Sequence, residues 1–146
     1  EIEKNETVLN IASGTGYGVV ILSFLADTVL GIESEKNMID KSSELLLKLN
    51  INNAAIIKGD IKDGFVKQAP YDSILIEGAV EEVPKEILNQ LSNQGKLVAV
   101  ESNETGYGKA VLFERFNDNF VKNILFDAYV PLLGAFKSKT INNFEF

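Results

Sequence analysis

"VLNIASGTGYG", residues 8–18, decides how the rest of this chain is read. A run of apolar, strand-forming residues gives way to Gly14, Gly16 and Gly18 at alternate positions. Glycine held in regular structure costs conformational entropy, so flexibility alone is a poor reason for a chain with 11 glycines in 146 residues to cluster three of them. A ligand that needs close approach to bare backbone is a better one. The pattern predicts a buried strand over 7–12, a tight turn, and a helix over 17–26.

Working outward, short β-prone runs alternate with helical patterns. Strands are predicted over 28–32, 54–58, 71–77 and 95–101. A helix is predicted over 35–50, with Met38, Ile39, Leu45, Leu46 and Leu49 toward the core, and another over 84–92 with proline at its first turn. Two further β-rich runs, 109–116 and 119–129, flank "NDN", a turn signal. This order implies an α/β, Rossmann-like, doubly wound sheet of seven strands. Most of them run parallel, with helices on both faces and a C-terminal antiparallel hairpin at one edge. The tail "PLLGAFKSKTINNFEF" reads as an ordered loop or short edge strand whose three phenylalanines cap the core.

Composition narrows the chemistry. With 45% hydrophobic and 24% charged residues, the chain fits one globular domain with one sizeable core. A net charge of −7 offers no basic field for nucleic acid. Zero cysteines exclude disulfides, thiolate metal sites and thiol nucleophiles; zero histidines remove the commonest general base and transition-metal ligand. Acidic residues show no ligand-like cluster, so no metal is expected. Residues 7–26 are uncharged, yet three glycines, two serines, two threonines and an asparagine argue against a membrane span. No signal peptide is visible and the first residue is not Met, so 1–146 is expected to be a single domain truncated at its N-terminus.

In an open parallel sheet ligands sit beyond the carboxyl ends of the strands, and residues 8–18 are such an end followed by its turn. Gly14 and Gly16 would let a ligand lie against backbone, and the following helix would aim its amides at an anionic group. Glu33 at the end of the second strand is placed to accept ribose hydroxyls, the lesser alternative being a neighbour of a helix cap in "ESEKN". The dinucleotide fingerprint G-x-G-x-x-G is not met, because Val19 stands where its last glycine belongs. "KGD" at 58–60 and "YDSILIEGA" at 71–79 place further carboxylates at strand ends.

Those stretches, with "GIE" at 31–33, "APYDSILIEGAVEEVP" at 69–84, "ILNQLSNQGKLVAV" at 87–100 and "PLLGAF" at 131–136, follow one another as do the motifs of one family. The sequence resembles the protein-L-isoaspartate O-methyltransferases, most of all a variant branch common in alphaproteobacteria, over nearly its whole length. The resemblance implies a class I S-adenosylmethionine-dependent methyltransferase fold. It places Ala12, Ser13, Gly14 and Gly16 around the methionine part of the cofactor and Glu33 on the ribose. It further places Asp60 on the adenine amino group and the Ile61 amide on the ring, with the 77–84 loop beside the transfer site. Glu81 and Glu82 on that loop read as solvated. Implied with these are a cytoplasmic enzyme, isoaspartyl peptides or proteins as substrates, and a role in protein repair; the catalytic residues and the oligomeric state are not read.

Departures from the family pattern accompany the resemblance. Its first motif opens with an acidic residue followed by a glycine, where this chain has Asn10 and Ala12, and its paired glycines before the fifth strand are here Gln94 and Gly95. Members of the family carry a substrate-side segment before that motif, and this sequence starts almost at the motif. Weaker cofactor binding is expected from Asn10 and Ala12. The competing readings are a cofactor-binding or structural module without turnover, and a nucleotide-binding domain.

Overall fold

The computed structural model describes residues 1–103 and 105–138. Seven strands form one sheet: β1 (Thr7–Ile11), β2 (Thr28–Glu33), β3 (Ala54–Lys58), β4 (Tyr71–Val80), β5 (Leu91–Ser102), β6 (Tyr107–Phe116) and β7 (Asn119–Tyr129). Their spatial order is β3-β2-β1-β4-β5-β6-β7. The first five run parallel, and β6 and β7 add an antiparallel hairpin at the edge. The chain builds outward from β1 to β3 and then returns to lay β4 on the other side of β1. The order therefore reverses between β1 and β4, and sheets of this kind take ligands beyond the carboxyl ends of the strands at that point.

Three helices, α1 (Tyr17–Ser23), α2 (Lys36–Lys48) and α3 (Lys85–Leu88), cover the sheet. Val19, Val20 and Leu22 of α1 and Leu46 of α2 pack with Val8 and Val29 on one face. On the other, Ile87 and Leu88 of α3 join Leu9, Ile11, Ile32, Ile74, Ile76 and Leu97. Strands buried on both faces explain why β1 and β2 read as continuous apolar runs.

Several boundaries differ from the sequence expectation for local reasons. β1 stops at Ile11 because Ala12 turns left-handed, at φ 60°. α1 ends at Ser23, short of Ala26. The helix expected to reach residue 92 is only Lys85–Leu88, because Tyr71 donates its amide to the Gln90 carbonyl (2.8 Å) and pairs with Leu91, drawing the chain into β5 early. Leu49, expected in the core, lies past the end of α2 and is half exposed. In the tail, Phe136 is buried as expected, while Phe144 and Phe146 fall outside the described residues. No helix among the described residues is long and apolar enough to cross a membrane.

Candidate functional site at the switch point

Between β1 and α1 the backbone turns through three left-handed residues, Ala12 (φ 60°), Gly14 (φ 52°) and Gly16 (φ 87°). The Ser13 amide donates to the Ile32 carbonyl (3.2 Å), which ties the loop to β2, and the Gly16 amide donates to the Ser13 carbonyl (2.9 Å), which closes the turn. The three glycines of the opening stretch answer to three different constraints. A Cβ on Gly14 would meet nothing within 4 Å, so that side of the loop is open. On Gly16 it would lie 2.7 Å from the Cβ of Ser42, so this glycine lets α2 pack close, whatever else the loop does. On Gly18 it would fall 1.7 Å from Oε1 of Glu77. That third vacancy is filled by a carboxylate.

Glu33, at the end of β2, is buried. Its Oε2 accepts the Gly14 amide (2.8 Å), and its Oε1 accepts the amides of Ser34 (2.8 Å) and Glu35 (3.1 Å). The carboxylate thus braces the glycine loop against the start of α2. Oε1 also accepts the Ser34 hydroxyl (3.4 Å) and is fully used, whereas Oε2, with about two acceptor directions, spends only one of them on Gly14. One remains for a ligand hydroxyl.

Asp60 and Ile61 follow β3 at the same end of the sheet, two strands out from β1. Asp60 is exposed, its Oδ1 taking the Lys62 amide (2.9 Å), while the Ile61 side chain is buried in the core. The Gly59 amide donates to the Glu33 carbonyl (3.0 Å), so the two acidic strand ends are tied through the backbone. The fold therefore brings Ala12, Ser13, Gly14, Gly16 and Glu33 into one loop system, with Asp60 and Ile61 one strand further along. α1 spans only seven residues and has no side-chain cap, so the amide array expected at its start is short.

On the β4 side, Asn10 is fully buried and its Nδ2 donates to Oε1 of Glu77 (2.8 Å). Among the described residues, Asn10 Oδ1 and Ser13 Oγ are buried without a hydrogen-bond partner. Burial pushes the Glu77 carboxyl above the ordinary glutamate range, and the Asn10 hydrogen bond opposes that in part. Sequence reading marked Glu77 as a strand-end carboxylate but did not join it to Asn10. The available signal was a charge inside the apolar run "SILIEGAV". Glu81, read as solvated, is partly exposed, and there it accepts the hydroxyl and amide (2.8 Å) of Ser138, which hold its carboxyl below the usual range. A cavity of about 1070 Å³ lies further along, over the ends of β5–β7, and the glycine loop does not line it.

The strand order and the glycine turn braced by an acid on the next strand define the class of α/β domains that take nucleoside-bearing ligands at the switch point. Comparison with known proteins narrows the class. The family model described as protein-L-isoaspartate(D-aspartate) O-methyltransferase matches residues 1–137, and the chain belongs to that family. It is 36% identical over 138 residues to protein-L-isoaspartate O-methyltransferase 2 of Shewanella sediminis, an alignment covering 92% of this chain and 55% of that protein. It is 33% identical to a protein-L-isoaspartate O-methyltransferase of Pseudomonas paraeruginosa, covering 89% of this chain and 62% of that one. The chain thus spans little more than half the length of these curated relatives. Among solved structures, a protein-L-isoaspartate O-methyltransferase superposes with a TM-score of 0.84 at 25% identity, over 91% of this chain and 43% of that one. A Plasmodium falciparum protein in complex with S-adenosyl-L-homocysteine, described as a protein-L-isoaspartate O-methyltransferase, shares the fold at TM-score 0.69 and 22% identity, over 91% and 67% of the two chains.

Proposed function

We propose that this chain forms the cofactor half of an enzyme that transfers a methyl group from S-adenosyl-L-methionine to the side-chain carboxylate of L-isoaspartyl residues in damaged proteins. The observation that carries the reading is the Gly14–Glu33 hydrogen bond of 2.8 Å, which fixes the glycine turn with its Gly14 side open. The residues present fit the cofactor in kind. Ala12, Ser13, Gly14 and Gly16 would line its amino-acid part, and Glu33 retains an acceptor direction for a ribose hydroxyl. Asp60 and the Ile61 amide would meet the adenine. When bound, the cofactor supplies an electrophilic methyl group.

The protein's own part needs no general base. An isoaspartyl carboxyl of ordinary pKa, about 4, is already the anionic nucleophile at neutral pH, which agrees with a chain that has no histidine. The work left to the fold is to hold that oxygen in line and keep water away, with the loop from Glu77 to Pro84 beside the transfer point. Repair of intracellular proteins would place the enzyme in the cytoplasm.

Calorimetric titration of S-adenosylhomocysteine into the full-length protein, with NAD as control, tests the reading. Micromolar binding of the first alone is expected, together with methyl ester formation on an isoaspartyl peptide and none on its aspartyl counterpart. Binding without turnover on any carboxylate would leave a cofactor module in place of an enzyme, the reading to which the left-handed Ala12 gives weight. No binding by the folded protein would overturn the cofactor site itself.

A further inference from the structure

Glu77 is a half-buried carboxylate with no counter-ion. The ion pairs among the described residues join Lys109 to Asp127 and Lys122 to Glu101, and neither touches it. Its Oε1 is taken by Asn10, while its Oε2 has no hydrogen-bond partner among the described residues. Withdrawing a carboxylate from water without a cation is unfavourable, so a fold that builds a seat for one invites the question of what neutralises it. The seat here is specific. Gly18 has no side chain where the carboxylate lies against the first turn of α1, and the fully buried Asn10 holds one oxygen and leaves the other free. Asn10 also keeps its own Oδ1 buried beside that carboxylate, a second acceptor without a donor among the described residues. Two acceptors, one of them charged, thus meet between β1 and β4, two residues before the turn that starts at Ala12.

We propose that Glu77, held by Asn10 and seated against Gly18, is the anionic subsite that takes the ammonium group of the cofactor's amino-acid end. This rests on the cofactor reading above and adds a residue to it. An ammonium brings a positive charge that pairs with the carboxylate and N–H donors, one of which the free Oε2 accepts. Glu33 anchors the neutral ribose end of the same ligand from β2. Glu77 anchors the charged end from β4.

The test compares S-adenosylhomocysteine, which carries the ammonium, with 5′-methylthioadenosine, which lacks the amino-acid end, by calorimetry on the full-length wild type and on Glu77→Gln. Glutamine still accepts the Asn10 hydrogen bond, so a purely structural brace survives the substitution and only the charge is lost. The expected result is a loss of about tenfold or more in affinity for S-adenosylhomocysteine, with methylthioadenosine unchanged. Gly18→Ala, whose Cβ displaces the carboxylate, should give the same selective loss with Glu77 still present. Equal affinity of wild type and Glu77→Gln for S-adenosylhomocysteine, or a parallel loss for both ligands, overturns the proposal. So does a Gly18→Ala protein of unchanged affinity. Failure of the wild type to bind either ligand would sink the cofactor reading itself, a different outcome from a wild type that binds and a variant that binds equally well.

Discussion

β2, "TVLGIE", and β7, "NFVKNILFDAY", are both apolar strands, yet β2 is buried from Val29 to Glu33 while β7 exposes Val121, Ile124, Leu125, Phe126 and Tyr129. The difference follows from connectivity. A parallel neighbour can be reached only by a crossover, and the β1–β2, β2–β3 and β4–β5 crossovers deliver α1, α2 and α3 onto the sheet. A hairpin partner is reached by a tight turn, here around Asn117 at φ 56°, which brings no covering layer with it. On the α1 face, Leu75, Val98, Leu112 and Leu125 line an apolar trough of about 410 Å³ together with Ile2 and Leu22. The site lies in the covered half, where both faces of each strand are fixed and a loop can be held in strained geometry.

The sharpest way to break this comparison is to remove equal volume from each half. Ile32→Ala empties a fully buried position and should cost about 3–4 kcal/mol of stability, read as a drop in denaturant midpoint. Ile124→Ala, at 66% exposure, should cost below about 0.5 kcal/mol. Similar losses at both positions would mean that something covers β7 in the full-length protein.

Within the covered half, the glycines can be ranked the same way. Gly16→Ala meets both a φ of 87° and the Cβ and Cα of Ser42 at 2.7 and 3.3 Å, so a loss of about 2–3 kcal/mol is expected. Gly134→Ala, with nothing within 4 Å and no left-handed φ, should be silent in the same melt. If the two were alike, close packing of α2 on the loop would not be what Gly16 provides.

How far the sequence showed this architecture depends on the range of the cause. Strand periodicity, the glycine turn and Glu33 were legible because their causes are local: alternation, backbone freedom, and an acid ending an apolar run. The pairing of Asn10 with Glu77 was not, because it depends on β4 returning beside β1 with Asn10 opposite Leu75, a register no local pattern carries. Asn10 read alone looks like a lost charge. In the fold a carboxylate reaches the same place from the neighbouring strand, so Asn10→Asp would set two carboxylates against each other. The exposure of β7 was hidden for a related reason, since hydrophobicity tells which strands can be buried and topology decides which are.

A smaller effect is expected at Ala12. Glycine there would relieve a left-handed alanine, worth about 1 kcal/mol, and return most of it as added freedom of the unfolded chain. Ala12→Gly should therefore leave stability within about 0.5 kcal/mol of wild type by denaturant titration. A clear gain would show that the covered half carries net strain at this turn.

The smallest effect concerns the charge on Glu77 in the absence of cofactor. Burial raises its carboxyl pKa in the folded state, so the folded protein holds this proton more tightly than the unfolded chain. Stability from this group is therefore lost as pH rises from the ordinary glutamate value through the raised one, and it is fully retained below that window, where both states are protonated. Glu77→Gln removes the titration while keeping an acceptor for Asn10. The cofactor-free variant should accordingly melt slightly above wild type at neutral pH, by less than about 2 °C since the group is half exposed, and the gap should close as pH falls below the glutamate range. A variant that melts lower at neutral pH would make the carboxylate a structural brace. One that melts higher while binding S-adenosylhomocysteine more weakly would show that β4 holds a charge the empty fold would be more stable without, and that the ligand makes the difference good.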